Sequence, residues 1–61
     1  MVPWVFQFQD GDGIVNKRVE LPKGKEPAER LNLGTKGYLL TQVVLVGTQP
    51  TAVYHLIMEV V

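Results

Sequence analysis

The chain has 61 residues, a formal net charge of zero and no cysteine. A domain of this length buries only about 60% of the surface that its unfolded chain exposes, so its own core supplies little stability. The absence of cysteine excludes disulfides, and a single histidine leaves almost no basis for a structural metal site. Oligomerisation is therefore the remaining source of additional stability.

The N-terminal residues carry neither the basic segment nor the apolar segment of a signal peptide. No apolar run approaches the roughly 20 residues that a membrane-spanning helix needs. The sequence therefore predicts a soluble cytoplasmic protein that does not bind membranes, and a cysteine-free chain suits that reducing compartment.

The first predicted element is a strand over residues 2–9, in which Trp4, Phe6 and Phe8 alternate with less apolar residues. This period of two indicates a strand with its aromatic face buried. Residues 10–13 (DGDG) favour a tight turn, and residues 14–21 continue as a second strand. Charged residues interrupt this second strand, which is typical of the edge of a sheet.

A short helix is predicted over residues 26–33, with Pro27 at its first position, where the missing N–H group is not needed. Gly34 would then close the helix in a left-handed conformation, and Lys36 would lie near the last helical carbonyl groups. Gly37 would turn the chain into the next strand. The order of helix, glycines and strand is the reverse of a phosphate-binding loop, which has a strand before its glycines and a helix after them.

Two further strands are predicted over residues 39–46 and 53–61, joined by a hairpin connection at residues 47–51. The predicted fold is therefore α+β, a small antiparallel sheet of four strands with one short helix in ββαββ order. Residues 1–61 form a single domain.

A pattern of Leu-Gly, two residues, Gly and an aromatic residue, followed by an apolar strand, resembles the small bacterial and phage family called domain of unknown function 4177. The pattern is carried by Leu33, Gly34, Gly37, Tyr38, Leu40 and Val43, with a Trp-containing first strand and the closing residues 54–57. The family usually has Trp where this chain has Tyr38, and commonly has an apolar helical residue where it has Arg30. The resemblance implies a small antiparallel sheet with one helix and no established activity.

No catalytic or metal site is predicted. Asp10 and Asp12 resemble the start of a calcium-binding loop, but Ile14 and Leu21 occupy the fifth and twelfth positions, where oxygen ligands are required. His55 is the only histidine, and a general base or metal ligand needs partners that the sequence does not supply. We therefore expect a half-exposed His55, no cofactor and no enzymatic activity.

The main functional prediction is a protein interface on the last two strands. Both strands are apolar on both faces, one short helix covers only one face, and a strand apolar on both faces needs cover on both. A second copy of the chain in a two-fold dimer satisfies this need with one self-complementary surface, and another protein is the competing partner. The predicted interface residues are Leu39, Val43, Leu45, Val53, His55 and Ile57.

The alternative function is the binding of nucleic acid or an acidic protein surface. All six basic residues lie in segment 17–36, which sums to +3, whereas the flanking segments sum to −3. The candidate residues are Lys17, Arg18, Lys23 and Lys25. Nucleic acid is the less favoured partner, because the aromatic residues that would stack on bases are predicted to be buried.

Overall fold

The computed structural model describes residues 1–11 and 13–60 and contains five β-strands, with no helix in those residues. The strands are β1 (Val2–Asp10), β2 (Gly13–Leu21), β3 (Arg30–Leu33), β4 (Lys36–Val46) and β5 (Gln49–Glu59). Within the described part of the chain, nothing forms a helix of the length and apolarity required to cross a bilayer.

The five strands form one sheet in the order β2-β1-β5-β4-β3. The two predicted hairpins are confirmed, since β1 pairs antiparallel with β2 and β4 pairs antiparallel with β5. The predicted edge position of β2 is also confirmed. A purely antiparallel sheet of four strands is wrong, because β1 and β5 lie side by side in parallel and residues 30–33 add a fifth strand.

The core lies on one side of this sheet, which we call the inner face. Its buried side chains are mostly aromatic, and the rings of Phe8 and Tyr54 stack at a centroid distance of 5.3 Å. Six partly buried apolar residues surround them. The inner face is formed by Phe6, Phe8, Tyr38, Ala52 and Tyr54, with Trp4, Val19, Leu21, Leu31, Leu40 and Leu56 around them. The prediction that the aromatic side of β1 points inward is thus confirmed.

The predicted helix is wrong, and with it the α+β class. Most of the segment is an irregular connection, residues 22–29, which crosses the inner face and buries Pro27. The Tyr54 hydroxyl donates a hydrogen bond of 2.6 Å to the Ala28 carbonyl, and the Leu40 N–H donates one of 2.8 Å to the Glu29 carbonyl. Two backbone carbonyl groups of this segment are thereby held by the sheet that it covers. A seven- or eight-residue helix is marginal, and these contacts outweigh its weak propensity.

The residues after the predicted helix have other roles than expected. Gly34 does adopt a left-handed backbone (φ 62°), but in the tight turn between β3 and β4. Lys36 forms an ion pair with Asp10 across the sheet instead of meeting helical carbonyl groups. Gly37 lies inside β4, where an added Cβ would come within 3.0 Å of the Met58 Cγ atom. The absence of a side chain at position 37 therefore makes room for Met58.

Candidate binding surface on the fourth strand

The six predicted interface residues do not share one face of the sheet. We call the face opposite the aromatic core the outer face. Residues paired across antiparallel strands project to the same face, and successive residues alternate between faces. Leu39 and His55 are paired with each other and lie on the outer face with Val53. Val43 pairs with Ala52, a core residue, so Val43 and Leu45 project on the inner-face side.

A β-bulge at Thr41 causes this separation. Leu40 pairs with Tyr54 and Gln42 pairs with Val53, which leaves Thr41 as an extra residue in β4. The Thr41 hydroxyl donates a hydrogen bond of 3.1 Å to the Val53 carbonyl. An extra residue reverses the alternation beyond it. The prediction assumed strict alternation through β4, which puts Leu39, Val43 and Leu45 on one face. Because of the bulge, Leu39 lies on the opposite face from Val43 and Leu45.

A second irregularity lies near the opposite end of β5. The register of β4 with β5 shifts between Gly37 and Tyr38, which pair with Met58 and Leu56. Ile57 falls between these two pairs, and its side chain is 48% exposed. It is therefore separated from the paired rows that contain the other five predicted interface residues.

The outer face around Val53 is already covered by polar side chains. Val53 is only 4% exposed and lies between Gln7 of β1 and Gln42 of β4, its partners on the two sides. Gln9 donates a hydrogen bond of 2.9 Å to the side-chain carbonyl of Gln7, which holds these amides together. The centre of the outer face is thus a closed, polar-flanked surface and gives a partner little apolar area.

His55 lies next to this centre and is exposed. Its neighbours in the sheet are Gln9 on β1 and Leu39 on β4. Neither of these two cross-strand partners is a titratable group. Among residues 1–11 and 13–60, no group of three or more His, Cys, Asp or Glu residues is arranged to hold a metal ion.

The second half of β4 exposes several apolar side chains. Val43, Leu45 and Val46 are 50%, 71% and 64% exposed, respectively. Residues 41–46 (TQVVLV) contain no charge, no glycine and no proline. β-Branched apolar residues favour an extended strand, and such an uncharged run favours pairing with another strand.

This part of β4 is also an unpaired edge of the sheet. β3 pairs with β4 only from Lys36 to Leu39, and the Glu29 carbonyl extends the contact by one hydrogen bond to Leu40. In the part of the chain that the structure describes, no strand adjoins residues 41–46 on that side. We call residues 41–46 the free edge. An exposed strand edge carries a row of backbone N–H and C=O groups that another strand can bind.

The opposite edge of the sheet has a different character. β2 carries Lys17, Arg18 and Glu20 at successive or nearby positions. Charged residues on an edge strand discourage pairing with other chains. The free edge of β4 lacks this protection, so the two edges of the same sheet differ in their capacity to bind another strand.

A second exposed apolar group lies at the other end of β5. Ile57, Met58 and Val60 line an open groove of about 590 Å³, together with Arg30 and Asn32 of β3. Met58 also packs over Gly37. The groove combines apolar side chains with the Arg30 guanidinium group and the Lys36 ammonium group, and Lys36 is paired with Asp10, which does not line the groove.

The basic residues predicted for anion binding do not form one patch. Lys17 pairs with Phe6 and Arg18 pairs with Val5, so these neighbours project to opposite faces of β2. Lys23 and Lys25 lie in the exposed turn after β2, where the Lys25 N–H donates a hydrogen bond of 3.0 Å to the Pro22 carbonyl.

Lys36 has a carboxylate partner, Asp10, among the described residues. Its ammonium group donates a hydrogen bond to Asp10, and this bond together with the attraction of the carboxylate raises the pKa of Lys36 above its ordinary value of 10.5. A lysine neutralised in this way contributes little to an anion-binding surface. Asp12, which belongs to the predicted turn at residues 10–13, lies outside the described residues, as does Val61.

Sequence reasoning missed Val44 and Val46 as members of the candidate surface, because the bulge was not foreseen. One signal was present: residues 41–46 lie within an uncharged run of eight residues that fills the predicted strand 39–46. Residues 41–46 form an edge because β3 is short, and the sequence predicted a helix where β3 lies.

No protein-family model matches this chain, and no curated protein or solved structure is significantly similar to it. The resemblance to the domain of unknown function 4177 stays a prediction, and the helix that it implied is not present in the described residues.

Proposed function

We propose that this chain is a small non-enzymatic assembly module, which self-associates or docks on another protein through the apolar surface of β4. The single observation that carries the proposal is the coincidence of exposure, lack of charge and lack of a neighbouring strand at residues 41–46. Self-association is the preferred form, because a 61-residue chain with a thin core and no disulfide gains stability from a second copy.

The apolar character of this surface supports a role in binding more than a role in solubility alone. Side chains of Val43, Leu45 and Val46 are each at least half exposed; Val43 and Leu45 are neighbours on the inner-face side, and Val46 lies on the outer-face side. Isolated exposed apolar residues are common on soluble proteins, whereas contiguous groups mark interaction sites. The environment of His55 supports the non-catalytic part of the proposal, and the cysteine-free composition suits a cytoplasmic location.

The test is the solution mass, measured by light scattering over a concentration series at low and high salt. We expect a multiple of 6.8 kDa that is insensitive to salt, since the surface is apolar. Leu45→Glu should shift the protein to a monomer, because it places a charge on the free edge. Ile14→Glu is the matched control: Ile14 is 60% exposed and lies on β2, the opposite edge.

A monomer at every concentration, with no change on Leu45→Glu, would remove the self-association form of the proposal. Docking on another protein would then be the form that remains, and it predicts that Leu45→Glu abolishes capture of that partner whereas Ile14→Glu does not.

The alternative function, binding of nucleic acid or an acidic protein surface, has one favourable observation. Lys23 and Lys25 are both exposed in the turn after β2, and an exposed pair of lysines suits contact with phosphate or carboxylate groups. Binding of a labelled single-stranded oligonucleotide tests this alternative. It predicts an affinity that falls steeply with salt and that is lost when Lys17, Arg18, Lys23 and Lys25 are replaced by Glu.

A further inference from the structure

We propose that the free edge of β4 pairs antiparallel with the same edge of a second copy, about a two-fold axis that passes at Val44. The two five-stranded sheets would thereby join into one continuous sheet. This inference rests on the proposed self-association and adds how it occurs: through backbone hydrogen bonds in one defined register.

The direction of the backbone groups follows from two fixed points in β4. At one end, the Leu40 N–H points away from β5, since it donates to the Glu29 carbonyl on the other side. At the other end, Val46 and Gln49 flank the two-residue turn at Gly47 and Thr48, and the residues that flank such a turn exchange both hydrogen bonds with each other. The Val46 backbone groups therefore point toward β5.

Alternation between these two points assigns the remaining residues. Counting back from Val46, the backbone groups of Val44 and Gln42 also point toward β5, and those of Leu45 and Val43 point outward. The extra residue at Thr41 reconciles this assignment with the outward Leu40. Val43 and Leu45 are thus the two residues whose N–H and C=O groups are available to a new strand.

These two residues define the register of the pair. In an antiparallel ladder, residues that face each other as a hydrogen-bonded pair exchange both bonds. An axis at Val44 places Val43 opposite Leu45 of the partner subunit, and the reverse pair forms by symmetry. About four new backbone hydrogen bonds result, two from each pair. Val44 then faces its own copy in the closer, non-hydrogen-bonded position.

The side chains also match in this register. Val43 of each copy forms an apolar cross-strand pair with Leu45 of the partner subunit on the inner-face side. Both side chains are at least half exposed in the single chain. Val44 meets its own copy on the outer-face side. Such apolar cross-strand pairs each stabilise a sheet.

Charge favours the free edge of β4 over the edge of β2 as the place where two copies pair. Residues 41–46 carry no charge, so self-pairing brings no like charges together. The edge of β2 lies on the opposite side of the sheet, and pairing it with its own copy about an axis at Lys17 or Arg18 would place like charges directly opposite each other, which destabilises a sheet. The free edge of β4 is therefore better suited to a two-fold pair than the edge of β2.

Single cysteines test the register directly, because the chain has no native cysteine. In the proposed pair, the two Val44 Cα atoms are about 4.5 Å apart, within the range of a disulfide. We expect Val44→Cys to form a covalent dimer under mild oxidation, seen on a non-reducing gel. Gln42→Cys is the matched control, since the two Gln42 Cα atoms would be roughly 14 Å apart and no disulfide is expected.

Preferential cross-linking of Val43→Cys or Gln42→Cys would overturn the proposal, since it places the axis elsewhere. A wild-type dimer in which none of these variants cross-links would also overturn it, and would leave the proposed self-association intact through another surface. A wild-type monomer removes both. The light-scattering series and the cysteine series together distinguish these failures.

A proline variant tests the role of the backbone. Leu45→Pro removes an N–H group that points outward, and proline is tolerated on an edge strand in that orientation. We expect its dimer dissociation constant to rise by about tenfold or more, since two intermolecular hydrogen bonds are lost by symmetry. Leu45→Ala keeps the N–H group and is the control. Circular dichroism on both variants establishes that the sheet is retained, and equal dissociation constants for the two would count against backbone pairing.

Discussion

Replacing Tyr54 by Phe should loosen the connection at residues 22–29 while leaving the aromatic core filled. Tyr54 is fully buried, and its ring packs between Phe6 and Phe8 at centroid distances of 5.3 Å. The hydroxyl group is the only part that Phe lacks, and that group donates the 2.6 Å hydrogen bond to the Ala28 carbonyl. The variant therefore removes one contact between the sheet and the segment that covers it.

The expected loss in the free energy of unfolding is about 1 kcal/mol, the usual net contribution of an intramolecular hydrogen bond. It stays near that value because Ala28 is exposed, so water can replace the lost donor. For a domain of this size, about 1 kcal/mol corresponds to a decrease in Tm of roughly 4–8 °C.

Thermal unfolding followed by circular dichroism measures the global effect, and limited digestion with trypsin measures the local one, since Lys23 and Lys25 lie in the connection. We expect faster cleavage after these lysines in the variant. Tyr38→Phe is the matched control: Tyr38 is 5% exposed, and its hydroxyl makes no hydrogen bond within the part of the chain that the structure describes. If both variants lower Tm equally and trypsin cleaves them alike, the Tyr54 hydroxyl does not hold the connection in place.

Three further outcomes are expected. Gly37→Val should lower the free energy of unfolding by about 1–3 kcal/mol in urea titrations, since the new Cβ would meet Met58 and Asn32 at 3.0 and 3.3 Å. Gly13→Ala is the control: its Cβ meets open space, so the free energy of unfolding should change by less than about 0.5 kcal/mol. Phe8→Ala should leave most of the protein unfolded at 25 °C by circular dichroism, since loss of a buried Phe costs about 3–5 kcal/mol in a domain this small. Stability should fall as pH rises above 10.0 in urea titrations at stepped pH. Burial raises the pKa of Tyr54, and the Asp10 carboxylate raises the pKa of Lys36. Both groups therefore contribute their full stabilisation below the pKa that they have in the unfolded chain. That stabilisation is lost as pH rises through the pKa of the folded state. Lys36→Met and Tyr54→Phe should each reduce this alkaline loss, and an unchanged pH profile in both would contradict the assignment.

The sequence predicted those elements whose apolar residues repeat with a clear period. Alternation of Trp4, Phe6 and Phe8 located β1 and its buried face, and the glycine-rich turn located the first hairpin. The burial of Tyr38 and Tyr54 was also predicted and is confirmed, at 5% and 0% exposure. Local pattern was sufficient for these features because each depends on one strand and its nearest turn.

The region around Pro27 shows where local pattern was ambiguous. Proline at the first position of an apolar segment is typical of a helix, but it is equally compatible with an extended connection. Residues 30–33 alternate between polar and apolar side chains (Arg, Leu, Asn, Leu), which is the period of a strand. Residues 30–33 are too few for that period to outweigh the helix signal, and only pairing with β4 decides the outcome.

The bulge at Thr41 and the parallel pairing of β1 with β5 were beyond sequence reasoning. A bulge changes which face each later residue occupies without changing the composition of the strand. Parallel pairing joins residues that are more than forty positions apart, such as Val5 and Thr51, and no local residue type marks it. The candidate surface depends on both features, so its residues were identified only in part: Val43 and Leu45 were named, Val44 and Val46 were not.

The free edge of β4 and the irregular connection have a common structural origin. The connection at residues 22–29 has to span the inner face, because Pro27 is buried there and Tyr54 binds the Ala28 carbonyl. Chain used to cover the core cannot also pair with β4, so β3 begins only at Arg30 and protects β4 no further than Leu39. In the proposed dimer, β4 of the second copy occupies the position that a longer β3 would have taken, and the sheet gains the neighbour that a chain of 61 residues does not provide.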